Sequence, residues 1–276
     1  MRIFKYCDKG GLFILKDMEL RLSLPDSFND PFEFSPRLNL SDYPKEQWIE
    51  ALKLEHMFHE WCGRQNRPCN KATRDYYSTH LSEIADEMMP NFLANIAREV
   101  AAFAQRTAQS WAVGCFSETS ESILMWSHYA DHHQGMVIGF DTDQEPFNIT
   151  KQVAILKVCY GLSKVTYKHP FGGGKRFETA FHEVAAWKFK DWEYEKEVRI
   201  LVPRGALRDG RFLRLSPSAI QTITLGCKSE PSLAAKVLDA LRAPCFGHVK
   251  VYIAEQNQDE FKIDLKEIQR TKRPCS

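Results

Sequence analysis

The sequence comprises 276 residues, of which 43% are hydrophobic and 26% are charged, and its formal net charge is +1. This balance predicts a globular protein with a substantial core and gives no whole-chain argument for nucleic-acid binding. No apolar run approaches the roughly 18 residues that a membrane span needs, and the first residues lack the apolar stretch of a secretory signal. The composition therefore argues against a membrane protein and favours a soluble chain of one or two domains.

The eight cysteines are scattered along the chain and form no CxxC motif. This distribution indicates reduced thiols in a cytoplasmic protein rather than a disulfide framework. His56, His59 and Cys62 lie close together in a helical stretch, with Cys69 beyond them. The set lacks the paired spacing of zinc sites, so we predict no metal centre there.

The N-terminal segment predicts two strands around a helix, followed by a structured loop. From the placement of apolar residues, strands are expected at 3–6 and 19–24 and a helix at 10–18. The loop at 25–33, PDSFNDPFE, is crowded with turn-forming residues. Asn29 and Asp30 either bind their own backbone or border a pocket, and both interpretations stay open.

Helical spacing dominates residues 43–62 and 76–109, where apolar side chains recur every three or four positions. Pro90 is expected to kink or split the second segment, because proline cannot donate the helical hydrogen bond. We interpret residues 41–110 as a helical insertion of two or three helices. The insertion would lie within a single α+β domain that spans residues 1–276.

The stretch at 111–141 predicts two strands joined by a helix. Half-buried and apolar strands are expected at 111–115 and 136–140, turn and cap residues at 117–120, and a helix at 122–129. The helix carries Trp126, His128 and Tyr129, whose polar atoms need partners when they are buried. It is either a packed helix with satisfied polar atoms or one wall of a ligand pocket.

The remaining elements predict a mixed or antiparallel sheet. Strands are expected at 153–160, 164–167, 200–202, 212–215, 220–225, 249–254 and 261–265, and helices at 177–188 and 229–243. The loop at 170–175, PFGGGK, matches no phosphate-binding motif. Because several strands follow one another without helices, we predict an α+β fold with a mixed, mainly antiparallel sheet and flanking helices.

Two acids and an arginine directly precede one apolar strand. Under strand alternation Glu195, Glu197 and Arg199 share one face. They form either an ion pair or a carboxylate site held for chemistry. We expect the functional site to join this strand to the loop at Asn29 and to the helix at 126–129.

Four segments occur in an order that resembles a family of bacterial proteins, the domain of unknown function 2971. They are FKYC at 4–7, LRLSLPDSFNDPFE at 20–33, CFSETSESILMWSHYADHHQGMVIGFD at 115–141 and WEYEKEVRI at 192–200. The resemblance extends from Ile3 to about Val202 and omits the helical insertion and the C-terminal segment. The family name carries no activity.

The element order also resembles ADP-ribosyltransferases, which include toxins and phage-defence effectors. In that fold a first strand supplies a polar residue, a helix and a second strand follow, and a later strand carries a catalytic glutamate. The resemblance assigns these places to Tyr6, Ser23 and Glu197. Tyr6 stands where arginine or histidine is usual, and the strand at Ser23 lacks a Ser-Thr-Ser pattern.

This second resemblance implies an enzyme that uses NAD, with a protein or a nucleic acid as acceptor. Cleavage of the nicotinamide–ribose bond develops positive charge on the ribose, which one carboxylate can stabilise. Glu197 is the first candidate for this role and Glu195 the second, with His128 orienting the substrate. The expected NAD-binding residues are Tyr6, Ser23, Asn29, Asp30, Trp126, Tyr129 and Arg199.

Two other functions stay open at this point. A nuclease could bind Mg²⁺ through the carboxylates of Asp30, Glu33, Asp131, Asp141, Glu195 and Glu197. Lys196 directly follows Glu195, however, and strand alternation points it to the opposite face. Alternatively, the aromatic residues form the pocket of a non-enzymatic ligand-sensing or interaction module, in which Glu197 only pairs with Arg199. No GxSxG motif and no evident Cys–His pair marks a hydrolase.

Overall fold

A computed structural model describes residues 1–38, 44–149, 152–167 and 177–269. The chain divides into two compact units. The first comprises Met1–Phe34, Thr107–Ser163 and Ala185–Ser276, and the second comprises Ser35–Arg106 and Lys164–Val184. Within the described residues, no helix combines the length and the apolar content that crossing a bilayer requires.

Strands and helices alternate irregularly along the chain. The strands are β1 (Arg2–Cys7), β2 (Glu19–Arg21), β3 (Arg37–Leu38), β4 (Trp111–Ser117), β5 (Met136–Asp141), β6 (Ala154–Lys157), β7 (Cys159–Gly161), β8 (Thr166–Tyr167), β9 (Trp187–Phe189), β10 (Glu197–Pro203), β11 (Phe212–Arg214), β12 (Ile220–Leu225), β13 (Lys250–Gln256) and β14 (Ile263–Ile268). The α-helices are α1 (Gly11–Asp17), α2 (Lys45–Leu52), α3 (Glu55–Arg64), α4 (Lys71–Thr79), α5 (Leu81–Gln109), α6 (Ile123–Tyr129), α7 (Phe177–Ala185) and α8 (Pro231–Ala240). Short 3-10 helices include Pro25–Ser27 and Lys190–Glu195.

An eight-stranded sheet forms the centre of the first unit, in the order β14-β13-β12-β5-β1-β4-β10-β6. β12 and β13 run parallel, and the other neighbouring strands are antiparallel. The predicted α+β class with a mixed, mainly antiparallel sheet is therefore confirmed. The N-terminal strand β1 lies inside this sheet, between β5 and β4.

One face of the sheet builds the main core of the first unit. Ile3 of β1, Ile138 of β5 and Ile200 of β10 all project into this core. Leu15 of α1 and Val237 of α8 belong to the same cluster, so both helices cover this face. Burial of such aliphatic side chains contributes roughly 1.5–3 kcal/mol each before entropy is counted.

The opposite face, called the second face below, carries a smaller hydrophobic cluster and the charged side chains of β10. Tyr6, Val137 and Trp126 pack together there, which places α6 against this face. Glu197 and Arg199 alternate along β10 with residues of the main core, so their side chains project to the same second face.

The second unit has a core of its own, formed by aromatic and aliphatic residues of α2 to α5. It includes Trp48, Leu52, Phe58, Trp61 and Tyr77. The Tyr77 hydroxyl donates to the carbonyl oxygen of Leu52 at 2.7 Å, so this buried phenol has a partner. A short parallel pair, β3 with β8, also belongs to this unit.

Several elements begin or end at residues other than those expected. The strand at 19–24 ends at Arg21, and Ser23 forms an isolated bridge to Val113 of β4. The helical stretch at 43–62 is interrupted at Lys53 and Leu54, which separates α2 from α3. The predicted loop at 170–175 lies outside the described residues. So does Tyr43, the first residue of the predicted helical stretch at 43–62.

Three local expectations are corrected by the structure. Pro90 lies inside α5, which continues past it to Gln109, so of the two expected effects of this proline, a kink or a split, the split does not occur. α6 is capped by Ser122, whose Oγ accepts from the backbone N–H of Met125 at 3.4 Å, and not by a residue of 117–120. β4 is buried along most of its length rather than half-buried, because the sheet continues on both sides of it.

The segment that precedes β10 departs most from its predicted form. The helix expected at 177–188 ends at Ala185, and Lys188 lies in β9, which pairs with β7. Lys196 adopts a left-handed conformation with φ 43°. The chain turns there, so Glu195 belongs to a 3-10 helix and does not share a strand face with Glu197 by alternation.

Gly135 lies between α6 and β5, against the backbone of β1. A Cβ atom there would stand 2.1 Å from the carbonyl oxygen of Cys7. We expect Gly135→Ala to lower the free energy of unfolding by about 1–3 kcal/mol, because overpacking forces the backbone to move.

Gly63 of α3 provides a matched control for this substitution. Nothing lies within 4 Å of its Cβ position. Gly63→Ala should therefore raise the stability by up to about 1 kcal/mol, the usual helix preference of alanine over glycine. Urea unfolding followed by circular dichroism measures both changes. A Gly135→Ala protein as stable as the parent would show that the close approach to Cys7 is relaxed in solution.

Candidate functional site

A cleft of about 330 Å³ opens on the second face of the sheet. Its walls are largely aromatic and include Phe4, Tyr6, Phe28, Phe116 and Tyr129. Its polar lining includes Ser23, Ser27, Asn29, Lys188, Glu195 and Glu197. An apolar cleft with a few convergent polar groups is the usual form of a small-molecule site.

Arg199 is fully buried beneath this cleft and binds Glu197 through two hydrogen bonds. Its Nε donates to Glu197 Oε1 at 2.8 Å, and its Nη2 donates to Glu197 Oε2 at 2.9 Å. Nη2 also pairs with Glu33 Oε2, and Nη1 donates to the carbonyl oxygen of Ala185 at 2.8 Å. The guanidinium carbon lies 5.4 Å and 5.3 Å from the ring centroids of Phe28 and Phe34. The arginine is thus held in one orientation on every side.

Lys188 lies among three buried carboxylates. Its Nζ is 2.6 Å from Glu195 Oε2, 3.2 Å from Glu197 Oε2 and 3.3 Å from Glu33 Oε1. The Tyr129 hydroxyl donates to Glu195 Oε1 at 2.6 Å, so both oxygens of Glu195 have donors. Glu33 Oε1 has the ion pair but no hydrogen-bond partner among the described residues.

The turn before β10 brings Glu195 and Glu197 together. Because Lys196 is left-handed, the 3-10 helix ends there and β10 begins at the next residue, and both carboxylates reach Lys188. The Ser117 hydroxyl donates to the carbonyl oxygen of Glu195 at 2.6 Å, and the backbone N–H of Glu197 donates to the Tyr160 hydroxyl at 2.7 Å. These bonds fix the backbone on both sides of the turn.

The three carboxylates and two cations carry one net negative charge when all are ionised. Burial raises the pKa of Glu197, but Arg199 and then Lys188 outweigh it and lower that pKa to about 2. Burial also raises the pKa of Glu33, and there the same two cations do not compensate, so it stays above its ordinary value. An additional proton is therefore expected at Glu33 and not at Glu197.

Lys188 keeps its charge in this environment. Burial lowers the pKa of Lys188, but Glu197, Glu33 and Glu195 together raise it above its ordinary value. The Tyr129 phenol is protonated for a related reason, since burial and its hydrogen bond to Glu195 raise its pKa. Tyr129 therefore acts as a donor at the wall of the cleft.

Trp126 and His128 lie away from this cleft. Trp126 is fully buried, its Nε1 donates to the carbonyl oxygen of Ser120 at 2.8 Å, and its ring packs edge-on against Tyr6. His128 is exposed, and its Nδ1 lies 3.1 Å from the Tyr194 hydroxyl oxygen. Because Trp126 is sealed in the core, it cannot contact a ligand in this cleft as an NAD-binding residue would.

A second cleft of about 980 Å³ adjoins the first. The two share Lys5, Tyr6 and Tyr129 in their linings, and the second cleft also includes His128 and Arg208. A ligand longer than the first cleft would extend past the Lys5 ammonium, which also lies 5.5 Å from the centroid of the Phe116 ring.

Apart from Trp126 and His128, the predicted site residues fall into three groups. Tyr6, Ser23, Asn29, Tyr129, Glu195 and Glu197 line the first cleft. Arg199 supports Glu197 from below, where a ligand cannot contact it. Asp30 is buried as a turn residue, with its Oδ1 accepting from the backbone N–H of Phe32 at 2.8 Å.

Glu33 and Lys188 belong to the charged cluster, although the sequence does not predict them there. The sequence suggests Glu33 only as a magnesium ligand and Lys188 only as the end of a helix. The sequence gives only a weak indication that these two residues belong to the cluster. Glu33 is the last residue of the FNDPFE segment, and Lys188 lies between two aromatic residues in WKF.

The carboxylates considered as magnesium ligands do not form one group. Asp131 lines the second cleft, and Asp141 lies 3.7 Å from the N-terminal amine. Glu33, Glu195 and Glu197 are together, but two protein cations bind their oxygens. In the described part of the chain, no group of three or more His, Cys, Asp or Glu side chains is arranged to hold a metal ion.

Comparison with known proteins adds one match. Residues 125–200 match the model of a family described as a protein of unknown function, DUF2971. The matched segment contains most of α6 and the residues Lys188, Glu195, Glu197 and Arg199 of the cluster. The segments at 4–7 and 20–33 that also suggested this family lie outside the match. No curated protein and no solved structure matches the chain.

Proposed function

We propose that the first cleft binds the nicotinamide–ribose part of NAD and that the protein transfers ADP-ribose to an acceptor. The observation that supports this proposal is the position of three residues. Tyr6, Ser23 and Glu197 come from distant parts of the chain, were assigned together by the resemblance to ADP-ribosyltransferases, and all line this one cleft.

The cleft suits this part of the ligand in size and character. Its volume of about 330 Å³ is at the lower end of ligand sites, which matches half of a dinucleotide. The Phe28 and Tyr129 rings offer apolar surface to a pyridine ring, and Ser23 and Asn29 offer hydrogen bonds to ribose hydroxyls. The remaining half of the ligand would extend toward Lys5 and the second cleft.

In the proposed reaction the bond between C1′ of the ribose and the pyridinium nitrogen breaks. Both electrons go to that nitrogen, so nicotinamide leaves as a neutral molecule without a protonating acid. The acceptor then bonds to C1′ and loses its proton to solvent. Glu197 stabilises the positive charge that develops on the ribose, since its lowered pKa keeps it ionised at all ordinary pH values.

A second candidate function is a ligand-sensing or interaction module without turnover. One observation favours it: Arg199 donates to both oxygens of Glu197, and Lys188 contacts one of them as well. A carboxylate neutralised in this way stabilises a ligand cation less than a free one does. In this case the cluster would serve to shape the cleft, and the ligand would bind without being cleaved.

One experiment separates these functions. Purified protein is incubated with NAD labelled in its adenine half, and release of nicotinamide and transfer of label to protein or oligonucleotide are measured. We expect release by the parent protein and a loss of about 100-fold or more in Glu197→Gln, the usual effect of removing a charge-stabilising group. Circular dichroism establishes the temperature at which the variant is folded.

The control is Arg242→Ala, which removes an exposed ion pair of Arg242 with Asp239 of α8, far along the chain from the cleft residues. It should release nicotinamide at the parental rate. A thermal shift with NAD but no nicotinamide release would favour the sensing module. Absence of both release and thermal shift would rule out NAD as the ligand of this cleft.

A further inference from the structure

The second unit contains a thiol and an imidazole in direct contact. Glu55, His59 and Cys62 lie on α3 at spacings of four and three, which places them on one side of the helix. The chain then leaves α3 and returns, with the backbone N–H of Arg67 donating to the carbonyl oxygen of Cys62 at 2.9 Å. This return brings the Cys69 thiol to His59, where Sγ and Nδ1 are 3.2 Å apart.

His59 connects this thiol to a carboxylate. Its Nε2 lies 3.1 Å from Glu55 Oε1. A carboxylate can only accept, so Nε2 carries a proton, and Nδ1 of the neutral ring is left as the acceptor for the Cys69 S–H. Arg74 binds both oxygens of Glu55 at 2.7 Å and 2.5 Å, which fixes the carboxylate. Carboxylate, imidazole and thiol thus form a line in which the imidazole can take the thiol proton.

The two cysteines of this region, Cys69 and Cys62, differ in solvent exposure. Cys69 is exposed, whereas Cys62 is 1% exposed. Burial raises the pKa of the Cys62 thiol, the neighbouring Cys69 thiol adds to this effect, and Arg74 and Arg67 oppose it. One thiol is therefore accessible and next to a base, and its neighbour is a protected thiol near two positive charges.

We propose that Cys69 is a peroxide-reactive thiol, activated by His59 and Glu55, and that Cys62 then forms a disulfide with it. Thiols that react with peroxides are exposed, lie in electropositive surroundings and often stand next to a resolving cysteine. Cys69 is exposed, contacts the imidazole of His59 and has Cys62 as a neighbouring thiol. All of these residues belong to the second unit, so the proposed thiol chemistry is independent of what the first cleft binds.

The reaction proceeds in two steps. His59 takes the Cys69 proton, and the thiolate attacks one oxygen of a hydroperoxide. The O–O bond breaks, the leaving oxygen takes a proton, and Cys69 becomes a sulfenic acid. The Cys62 sulfur then attacks the Cys69 sulfur, the S–O bond breaks, and water leaves with the Cys62 proton. The two thiols are oxidised by two electrons in total, and the peroxide is reduced by two.

The neighbouring thiol is what favours oxidation over acyl transfer. An acyl-transfer enzyme places backbone or side-chain donors where an oxyanion forms next to its cysteine. Here the Cys62 thiol of α3 lies close enough to Cys69 for a side-chain hydrogen bond between the two sulfurs. The pair therefore suits disulfide formation.

Trypsin cleaves this region in a way that makes the product easy to identify. Cleavage after Lys53, Arg64 and Lys71 yields the peptides 54–64 and 65–71, because the Arg67–Pro68 bond resists trypsin. Each peptide contains one cysteine, Cys62 or Cys69. The full-length protein is treated with stoichiometric hydrogen peroxide, the remaining thiols are blocked, and mass spectrometry of the digest detects the cross-linked pair.

We expect the 54–64 and 65–71 peptides to be joined in the treated protein. In Cys62→Ser we expect dimedone to label Cys69 as a sulfenic acid. Iodoacetamide should modify Cys69 about tenfold faster than Cys159 and Cys245, which are also exposed but lack this environment. His59→Gln should remove that rate advantage.

The matched control is His56→Gln, which replaces an exposed histidine one turn earlier on the same helix. It should leave the reactivity of Cys69 unchanged. The proposal would be overturned if Cys69 reacted no faster than Cys159 and Cys245. It would also be overturned if peroxide gave no 54–64 to 65–71 cross-link, or if both histidine variants slowed Cys69 equally.

Discussion

Replacement of Arg199 by alanine is expected to lower the free energy of unfolding by about 3–5 kcal/mol. The guanidinium is fully buried and compensates two buried carboxylates, Glu197 and Glu33. Its removal leaves those carboxylates inside the protein with Lys188 as their remaining cation. Removing one partner of a buried ion pair typically destabilises a protein by about 3–5 kcal/mol. Denaturant unfolding of the purified variant measures the change.

Arg208→Ala is the matched control for the loss of an arginine. Arg208 also forms two bonds to one carboxylate, Glu19, at 2.8 Å and 2.5 Å, but its side chain is 55% exposed. An exposed ion pair contributes at most about 1 kcal/mol. If the two variants lost similar stability, the buried cluster would be accessible to water in solution, and the electrostatic account of the site would be wrong.

Two glutamates of the same cluster are expected to respond oppositely to the same substitution. The pKa of Glu197 is lowered from its ordinary value of 4.5 to about 2, so its ionised form stabilises the fold. Converted at about 1.4 kcal/mol per unit, Glu197→Gln costs on the order of 3 kcal/mol at neutral pH. The pKa of Glu33 is raised, so its ionised form is disfavoured by folding, and Glu33→Gln is expected to be neutral or stabilising.

The pH dependence of stability should show both effects. The contribution of Glu197 is present above 4.5 and is lost as the pH falls from 4.5 toward its folded-state pKa of about 2. The contribution of Glu33 has the opposite sign: it is fully present below 4.5 and is lost as the pH rises through its raised pKa. Glu33→Gln should remove the second effect. Glu197→Gln should remove the first effect and also weaken the second, because the charge of Glu197 contributes to the raised pKa of Glu33.

Urea unfolding of the parent and the two variants between about pH 3 and pH 7 measures these slopes. A Glu33→Gln protein that is much less stable than the parent at neutral pH would contradict the assignment of the extra proton to Glu33. A Glu197→Gln protein as stable as the parent would mean that Arg199 and Lys188 do not hold that carboxylate.

The fold class could be predicted because hydrophobic patterns report burial directly. β12 occupies the predicted residues 220–225, since a short run of β-branched residues between turn signals strongly favours a strand. The sequence also allowed the proposal that Asn29, Tyr129 and Glu197 line one cleft. These polar residues lie in a loop, a helix and a strand that adjoin apolar segments.

The details of the cluster could not be predicted, because they depend on one backbone residue. Lysine seldom adopts a left-handed conformation, and nothing in WEYEKEVRI indicates that Lys196 does so. That turn separates Glu195 from the strand and brings it to Lys188. The helical pattern of 177–188 likewise hid β9, since WKF is too short to show a period of its own.

The pairing of His59 with Cys69 also required the structure. The two residues are ten apart, and only the return of the chain after α3 brings them together. A sequence can suggest that His59 and Cys62 share a helix face, but the position of a loop residue depends on tertiary packing.

The position of β1 inside the main sheet has a consequence for how quickly the chain reaches its native state. β1 pairs with β4 and β5, and its Tyr6 hydroxyl donates to the carbonyl oxygen of Thr119, 113 residues later. Such distant partners make folding slow, because the intervening chain must close a long loop before the contacts form. Until β5 has been synthesised, the apolar side chains of β1 stay unpaired, and this interval is when the nascent protein is most exposed to aggregation.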